Sequence, residues 1–359
     1  MINVDVLIVG SGISGITAAR LLAEKGRKVL IVEKKAVIGG ACRDQYTEEG
    51  INVHLFGPHI FRTNETAVFE FLSRFTKFND YQHKVTSYVL GDYLEFPINI
   101  NTLKKLFDTN KTNEILNIFS SSSNTGQNFE EVLINKIGRE LYSLFYLNYS
   151  KKQWLTEPYN LTPETATIIP IRNNIDNRYF GDIYQGIPSK GYSDMLNNMI
   201  DHPNIKLLLN TDFREVRDCI SYKLLIYTGR LDDYFDRIQG ELEYHSVRFD
   251  FEKVYKKTQA SAVVNYPNDY EYIRKTDYNY FMDISSDIHV VGTEYSQKNG
   301  EPLYAVPDFK NKIINEKYSN LIKSLPPNIK LIGRLATYRN LSMGQSVHEA
   351  MLLCKEIEI

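Results

Sequence analysis

Three glycines in the segment GSGISG, at Gly10, Gly12 and Gly15, separate an apolar run from a segment with helical spacing. The first glycine allows a tight turn, the second lets the backbone approach a phosphate, and the third lets a helix pack on a strand. The free N–H groups at the start of that helix then face a pyrophosphate. Glu33 follows about 20 residues later, where a carboxylate accepts hydrogen bonds from ribose hydroxyls and disfavours the 2′-phosphate of NADP. This spacing predicts a dinucleotide site.

The elements around these glycines form a βαβ unit of about 30 residues. Residues 4–9 are predicted to form a buried parallel strand and residues 14–25 a helix that ends at Gly26, before the second strand KVLIVE. The pair Gly39–Gly40 follows a few residues after Glu33. It resembles the extended fingerprint of the two-dinucleotide-binding-domain flavoproteins and favours FAD over NAD. An ordinary turn between helix and strand is the alternative.

The rest of the chain predicts an interrupted α/β fold. Residues 101–150 have helical spacing, with FEEVLINKIGRELYSLFYLNY as one helix. Residues 85–96, 173–187 and 242–294 alternate as antiparallel strands do. IKLIGRLATY reads as a strand with a glycine turn, and GQSVHEAMLLCKEI as a closing helix. We predict a Rossmann-like FAD-binding domain interrupted by a small helical lobe and an antiparallel sheet lobe. The predicted bounds are 1–80, 190–240 and 315–359 for the FAD-binding domain, 100–170 for the helical lobe, and 81–99, 171–189 and 241–314 for the sheet lobe.

Composition excludes several classes of function. The net charge is -2 with 24% charged residues, so no basic field argues for binding to nucleic acid. Three scattered cysteines fit a reducing compartment and no disulfide framework. No apolar run approaches the roughly 20 residues of a membrane span, and no signal peptide is recognised at the start. We therefore expect a soluble, cytoplasmic protein that is not inserted into a membrane, with no metal site.

The motifs beyond residue 56 carry a more specific resemblance. Together with the FAD fingerprint they resemble the UDP-galactopyranose mutase family, flavoenzymes that interconvert the pyranose and furanose forms of a nucleotide sugar. The collinear segments are GPHIFRTN (57–64), NYSKKQW (148–154), IPIR (169–172), DNRYFGDIYQGIPSKGY (176–192), YTGRLDDYFD (227–236), GELEYHSVRF (240–249), YIRKTDYNYF (272–281) and GRLATY (333–338). Their shared order along the whole chain is what carries the resemblance.

The resemblance implies covalent catalysis by a cofactor. Reduced FAD attacks the anomeric carbon of the sugar through N(5) and displaces UDP, after which the ring recloses through another hydroxyl. It further implies a UDP- or dTDP-linked sugar as substrate, an external reductant such as NAD(P)H, and compatibility with a homodimer. The product of this chemistry, a furanose, is a building block of cell-surface polysaccharides.

The resemblance also assigns roles to individual residues. Arg172 and Arg274 match the arginines that clamp the diphosphate, for which the planar guanidinium is well suited. Trp154, the single tryptophan, matches the residue of a mobile loop that closes over the substrate with Arg172. Arg62 and His59 match residues near the flavin and sugar. Other substrate contacts are implied for Phe145, Tyr146 and Tyr149 around the uracil, and for Tyr184, Asn265 and Tyr304. The implied cofactor contacts are Gly10, Gly12, Ile13, Ser14, Gly15, Glu33, Lys34, Gly40, Ala41, His59, Ile60, Arg334, Met343, Gln345 and Ser346.

Two departures from the family pattern bear on specificity. Arg62 stands where the family has a histidine. Its longer, permanently charged side chain would contact a sugar substituent such as a 2-acetamido carbonyl, or else turn toward the diphosphate. Asn340, Leu341 and Ser342 stand where the family has a Tyr-Tyr-Asp cluster, which removes a phosphate-contacting tyrosine and an acid.

Several functions stay open at this stage. UDP-galactose is the default substrate, and UDP-N-acetylgalactosamine or a dTDP-6-deoxy sugar such as dTDP-fucose is the alternative for the same chemistry. A different class is an FAD-dependent oxidoreductase of the amine-oxidase type, which shares the fingerprint and the interrupted architecture. A third is a sugar-nucleotide sensor without catalysis, suggested by the missing Tyr-Tyr-Asp cluster.

Overall fold

The computed structural model describes residues 2–121, 125–167, 170–282 and 284–357, so Ile169 of the IPIR segment lies outside the described residues. The strands are β1 Ile2–Val9, β2 Val29–Val32, β3 Asp44–Tyr46, β4 Asn52–His54, β5 Phe61–Thr63, β6 Val85–Val89, β7 Asp92–Phe96, β8 Tyr184–Gly186, β9 Ile205–Leu208, β10 Ile220–Tyr227, β11 Tyr244–Val254, β12 Val263–Asn265, β13 Arg274–Asp277, β14 His289–Gln297, β15 Tyr304–Ala305 and β16 Ile329–Leu331. The α-helices are α1 Ile13–Glu24, α2 Thr66–Ser73, α3 Ile100–Leu106, α4 Thr109–Ser121, α5 Phe129–Ile137, α6 Arg139–Tyr142, α7 Asn148–Trp154, α8 Glu164–Thr167, α9 Gly191–Ile200, α10 Phe213–Val216, α11 Leu231–Tyr234, α12 Phe309–Lys323, α13 Gly333–Ala336 and α14 Met343–Glu356.

A five-stranded parallel sheet, ordered β16-β10-β1-β2-β9, forms the dinucleotide-binding fold. Its central strand β1 is buried on both faces, as a strand covered by helices must be. Gly10, at φ +98, makes the turn from β1 to α1, and a Cβ there would overlap the Thr228 hydroxyl. A Cβ on Gly15 would overlap the carbonyl oxygen of Gly10, so that glycine permits the close helix–strand contact. The predicted α/β class and its opening βαβ unit are confirmed.

A seven-stranded sheet, ordered β15-β11-β14-β13-β12-β6-β7, forms the second layer of the molecule. Adjacent strands of this sheet pair antiparallel, except that β12 and β6 run parallel. The predicted strands within 85–96 and 242–294 are present. The prediction of strands across 173–187 was wrong for most of that segment. The Asp176 carboxylate accepts hydrogen bonds from the backbone and the guanidinium of Arg178, and this local bonding replaces a sheet ladder.

The helical lobe departs from the predicted single helix over 129–149. Gly138 adopts φ +81, a conformation that no right-handed helix contains, so α5 ends there and α6 begins. A π-helical turn over Ser143–Leu147 then leads into α7. The apolar residues of these helices face one core shared with the seven-stranded sheet. The break lets the second half of the segment run toward the sheet instead of continuing along α5.

The closing helix α14 connects the dinucleotide-binding fold to the two-stranded ribbon of β5 and β8. It packs on α1 of the dinucleotide-binding fold and on β5, which itself pairs with β8. A Cβ on Gly344 would overlap the carbonyl oxygen of Arg62, so glycine is needed for this approach of helix to strand. Ser342 and Gln345 form a capping box at the start of the helix.

We predict that Gly344→Ala destabilises the protein, because the added methyl group must push α14 away from β5. Overpacking of this kind costs about 1–3 kcal/mol. The measurement is urea denaturation followed by circular dichroism. Gly181→Ala is the matched control, since a Cβ at Gly181 meets nothing within 4 Å. Equal stability of the two variants would contradict the proposed close contact.

Candidate active site

A cavity of about 480 Å³ lies beside the glycine turn at the carboxyl ends of β1 and β2. Ligands of open α/β sheets bind at this edge, and the volume is typical of small-molecule sites. The predicted cofactor residues that line it are Gly10, Gly12, Ile13, Ser14, Glu33, Lys34, Gly40, Ala41, His59, Arg334, Met343 and Ser346. Three others lie outside its lining. Gly15 is in the α1–β1 contact, Ile60 is buried in the core, and the Gln345 side chain accepts a hydrogen bond from the Ser342 backbone.

Glu33 closes β2 with its carboxylate anchored to the glycine turn. One oxygen accepts from the Ser11 backbone N–H at 2.8 Å and from the Ser11 hydroxyl at 2.7 Å. The other accepts from the Lys35 backbone N–H at 3.0 Å. A carboxylate has about four acceptor positions, so one remains for a ligand hydroxyl. The anchored acid therefore fits the ribose of a dinucleotide.

The opposite end of the cavity brings His59 and Arg334 together. Burial, and then the charge of Arg334, lower the pKa of His59 to about 4, so its imidazole is neutral at pH 7. His59 Nδ1 lies 2.7 Å from the Gly57 carbonyl oxygen and donates to it, which leaves Nε2 as an acceptor. Arg334 donates to the carbonyl oxygens of Leu303 and Leu341 and lies 4.6 Å from the centre of the Tyr304 ring. Arg334 thus connects this cavity to the edge of the seven-stranded sheet.

The segment that replaces the family's Tyr-Tyr-Asp cluster has a structural role here. The Asn340 amide accepts from the Ala305 backbone N–H at 3.0 Å and donates to its carbonyl oxygen at 2.9 Å. The carbonyl oxygen of Leu341 accepts from Arg334, and Ser342 caps α14. These contacts hold the strand that carries Tyr304 and the guanidinium beside it.

One face of the seven-stranded sheet carries the predicted substrate residues. Asn265, Arg274 and Glu294 are direct neighbours across three strands, so their side chains share a face. Arg274 Nε lies 3.1 Å from Glu294 Oε2. Burial raises the pKa of Glu294, and the charge of Arg274 opposes that rise. A Cβ on Gly57 would lie 4.0 Å from Glu294 Oε2, so the loop that carries His59 reaches this face.

Tyrosines surround the Arg274 guanidinium. Burial raises the pKa of Tyr149 and of Tyr179, and the charge of Arg274 opposes both shifts. Tyr304 is also close enough to interact with the charge of Arg274. Tyr149 and Tyr304 were predicted from the sequence as substrate contacts, whereas Tyr179 and Glu294 were not. Tyr179 lies within the motif DNRYFGDIYQGIPSKGY. Glu294 is recognised as a site residue only from the register of β14 against β13.

Arg172 is held within its own loop. Its guanidinium donates to Asp176 Oδ2 at 3.0 Å and to the carbonyl oxygen of Arg178 at 2.8 Å. Its backbone N–H donates to Ile98. These contacts hold the Arg172 guanidinium against residues of its own segment. The shared clamp of these two arginines remains a prediction.

The aromatic residues of the helical lobe occupy two different environments. Phe145 and Tyr146 are buried in the core against Phe96, at ring distances of 6.3 and 5.9 Å. Trp154 is half-buried at the end of α7, with its ring 5.7 Å from that of His245. Lys152 ties the same helix to the sheet by donating to the carbonyl oxygens of Tyr266, Tyr270 and Tyr272.

Arg62 and Tyr184 lie on opposite faces of the β5–β8 ribbon. Arg62 Nη1 is 2.9 Å from Asp182 Oδ2, and its guanidinium lies 4.3 Å from the centre of the Phe180 ring. Tyr184 stacks on Phe69 at 4.3 Å, with its hydroxyl 3.3 Å from the Thr66 hydroxyl. Tyr184 therefore contacts α2 in this structure. Its contact with the sugar-diphosphate stays a prediction.

Known proteins resemble this chain in sequence and fold. A model described as UDP-galactopyranose mutase matches residues 144–340, and a model of an NAD(P)-binding Rossmann-like domain matches residues 8–75. The dTDP-fucopyranose mutase of Escherichia coli is 35% identical over 96% of each chain. A Klebsiella pneumoniae protein described as "Probable UDP-galactopyranose mutase" is 34% identical over 99% of this chain and 95% of its own.

The chain belongs to the UDP-galactopyranose mutase family. The resemblance found in the sequence is thereby confirmed, and with it an enzyme of the isomerase class. The structure of a reduced UDP-galactopyranose mutase superimposes with a TM-score of 0.81 at 16% identity, over 99% of this chain and 94% of that one. Putrescine oxidase superimposes with a TM-score of 0.62 at 12% identity, over 99% of both chains. At these identities the two superpositions show the shared fold alone.

In the described ranges of this family member, no helix is long and apolar enough to cross a membrane.

We predict that Asn340→Ala loosens the edge of the sheet that carries Tyr304. The variant loses two hydrogen bonds to Ala305, which should lower the free energy of unfolding by about 1–3 kcal/mol. Urea denaturation measures the change. Asn320→Ala, at an exposed asparagine of α12, is the control and should be neutral. A neutral Asn340→Ala would show that the two bonds do not hold the strand.

Proposed function

We propose that the protein is an FAD-dependent mutase that interconverts the pyranose and furanose forms of a nucleotide sugar, with UDP-galactose as the leading substrate. The observation that carries the proposal is the position of Arg274. It lies beside Glu294 and three tyrosines on a sheet face that adjoins the dinucleotide cavity through Tyr304 and Arg334. A fixed cation next to a cofactor cavity suits the departure of a diphosphate.

The residues present fit FAD. The N–H groups at the start of α1 would face the pyrophosphate, and the free acceptor position on Glu33 would bind a ribose hydroxyl. His59, Arg334, Met343 and Ser346 would line the flavin end of the cavity. Reduced flavin, when bound there, would supply a nucleophile for the anomeric carbon of the sugar. We expect an external reductant such as NAD(P)H to keep the flavin reduced.

The chain's own residues bind and orient the substrate. The Arg274 guanidinium forms an ion pair with Glu294 through Nε, and the described residues give its two terminal nitrogens no hydrogen-bond partner. Those nitrogens can donate to the phosphate oxygens as negative charge develops on the leaving group. Tyr149 and Tyr179 keep their hydroxyl protons at neutral pH, because burial raises the pKa of both. They would add neutral donors around the same phosphates.

A second substrate has support of its own. The dTDP-fucopyranose mutase of Escherichia coli is similar over nearly the whole chain. The Asn340 amide is hydrogen-bonded to the backbone of Ala305, and the Ser342 hydroxyl accepts from the backbone N–H of Gln345, so neither side chain reproduces the tyrosine or the acid of the family's cluster. dTDP-fucose therefore belongs beside UDP-galactose and UDP-N-acetylgalactosamine in any assay of the reduced enzyme.

The redox dependence separates the mutase from an oxidase. Dithionite should switch on conversion of a pyranose substrate, monitored by chromatography of the furanose product. An oxidase of the amine-oxidase type would instead turn over from oxidised flavin and consume oxygen. Oxygen consumption without furanose formation would replace the proposed function with that alternative.

We predict that Arg274→Ala retains FAD but lowers turnover by a factor of at least a hundred, because a charge-assisted contact to the leaving group is worth about 3 kcal/mol. Arg172→Ala should behave in the same way if the two arginines act together. Arg248→Ala is the matched control. It removes an arginine from the other face of the same sheet and should leave turnover unchanged. Normal turnover in both site variants would remove the clamp from the mechanism.

Arg62→His tests the choice of sugar. If Arg62 contacts a sugar substituent, the ratio of activities on UDP-galactose and UDP-N-acetylgalactosamine should move several-fold, since one such contact is worth about 1–2 kcal/mol. Asp182→Asn releases the same guanidinium from its ion pair and should move the ratio too. Equal losses on both substrates would assign Arg62 to the diphosphate. That outcome fits the position of Tyr179, which interacts with the charges of both Arg62 and Arg274.

A further inference from the structure

His245 is a buried histidine that the sequence analysis did not single out. Its side chain is 5% exposed, yet neither ring nitrogen has a hydrogen-bond partner among the described residues. Buried polar groups in folded proteins almost always have a partner. Leaving one without a partner costs about 1–3 kcal/mol. A ligand that supplies these hydrogen bonds would account for the two ring nitrogens that have no partner in the protein.

The position of His245 places it in the substrate face. It lies on β11 directly opposite Tyr304 on β15, with ring centres 6.0 Å apart, and the Trp154 ring is 5.7 Å away on its other side. Along β11, His245 and Phe249 point to the same face, and Phe249 is opposite Glu294, the neighbour of Arg274. His245 therefore shares a sheet face with Arg274.

A second cavity, of about 640 Å³, opens at the imidazole. Its lining includes Trp154, Thr156 and Lys298. Arg230 and Pro302 line both this cavity and the dinucleotide cavity, so the two spaces adjoin. A molecule lying along the sheet face next to the cofactor would come within reach of the imidazole.

The protonation state of His245 limits which chemical groups can be hydrogen-bond partners of its imidazole. Burial, and then the charge of Arg274, lower the pKa of His245 to about 4. At neutral pH the ring is neutral, so one nitrogen donates a hydrogen bond and the other accepts one. A phosphate oxygen at neutral pH can only accept. The accepting nitrogen requires a donor, and the donor that a nucleotide sugar offers in number is a hydroxyl group.

We propose that His245 recognises a hydroxyl group of the nucleotide sugar, accepting from that hydroxyl at one ring nitrogen and donating to a neighbouring ligand oxygen at the other. The inference rests on the proposed function, because it takes the nucleotide sugar as the ligand of this face. The hydroxyl belongs to the hexose or to the ribose at its 2′ position. A hexose hydroxyl and the ribose 2′-hydroxyl would form the same hydrogen bonds with the imidazole. Ligands that differ in these hydroxyl groups distinguish the two cases.

The experiment measures binding to the FAD-loaded protein by titration calorimetry, with UDP-galactose, UDP and dTDP as the ligands. His245→Phe keeps an aromatic ring and removes both nitrogens, and should weaken UDP-galactose binding about tenfold. His245→Gln keeps a donor and an acceptor and should recover part of that loss. His202→Gln is the control, since His202 precedes β9 at the sheet edge opposite the dinucleotide cavity.

The three ligands decide which hydroxyl is bound. A loss confined to UDP-galactose supports the hexose. A loss shared by UDP-galactose and UDP but absent for dTDP supports the 2′-hydroxyl of the ribose. Equal losses for all three ligands, or no loss for any, would overturn the proposal, because a structural histidine or a contact to phosphate alone does not distinguish the sugars.

A measurement on the unmutated protein covers the case in which His245→Phe does not fold. With histidine labelled by ¹⁵N, and the His245 signals assigned through His245→Gln, both ring nitrogens should shift on addition of UDP-galactose. Unchanged shifts at saturation would overturn the inference. If the unmutated protein binds UDP-galactose but the variants bind as well as it does, His245 alone is excluded. If the reduced protein converts none of the sugar nucleotides, the proposed function fails instead.

Discussion

The half-buried guanidinium of Arg274 is the charge around which the site is organised. A charge taken out of water is costly unless it is paired and hydrogen-bonded. Here the Glu294 carboxylate forms an ion pair with Arg274 Nε at 3.1 Å, and three tyrosines are close enough to interact with the charge of the guanidinium. Burial, and then the charge of Arg274, lower the pKa of His245, so its imidazole is neutral at pH 7. The register of three strands, β12, β13 and β14, fixes all of this geometry, so the sheet is the element that defines the site.

The dinucleotide half of the protein was predictable because its signals are local. Gly10, Gly15 and Glu33 lie within one βαβ unit, and each has a role that sequence spacing alone dictates. The structure places them as that spacing predicts. The resemblance to the mutase family was carried by collinear motifs, and these also led to Arg274 and Tyr304.

The substrate half was less predictable because its contacts cross the chain. Glu294 becomes a neighbour of Arg274 only once β13 and β14 pair, and His245 shares their face only through the register of β11. The prediction of one helix over 129–149 was wrong. The apolar spacing continues through Gly138, but the φ angle of Gly138 is positive, and a right-handed helix cannot continue through it. Phe145 has helical spacing and an aromatic ring, but neither property distinguishes a ligand wall from the core in which it is buried.

Asn340 has a further consequence for how this protein meets its surroundings. β15 is a two-residue strand at the end of the seven-stranded sheet, and such an edge offers unpaired backbone groups to any extended chain. The Asn340 amide bonds both the N–H and the carbonyl oxygen of Ala305, as one residue of an adjacent strand would. A side chain thus occupies the outward backbone positions of this edge. The backbone groups of Ala305 are therefore unavailable to a foreign extended peptide that would add a strand at this edge.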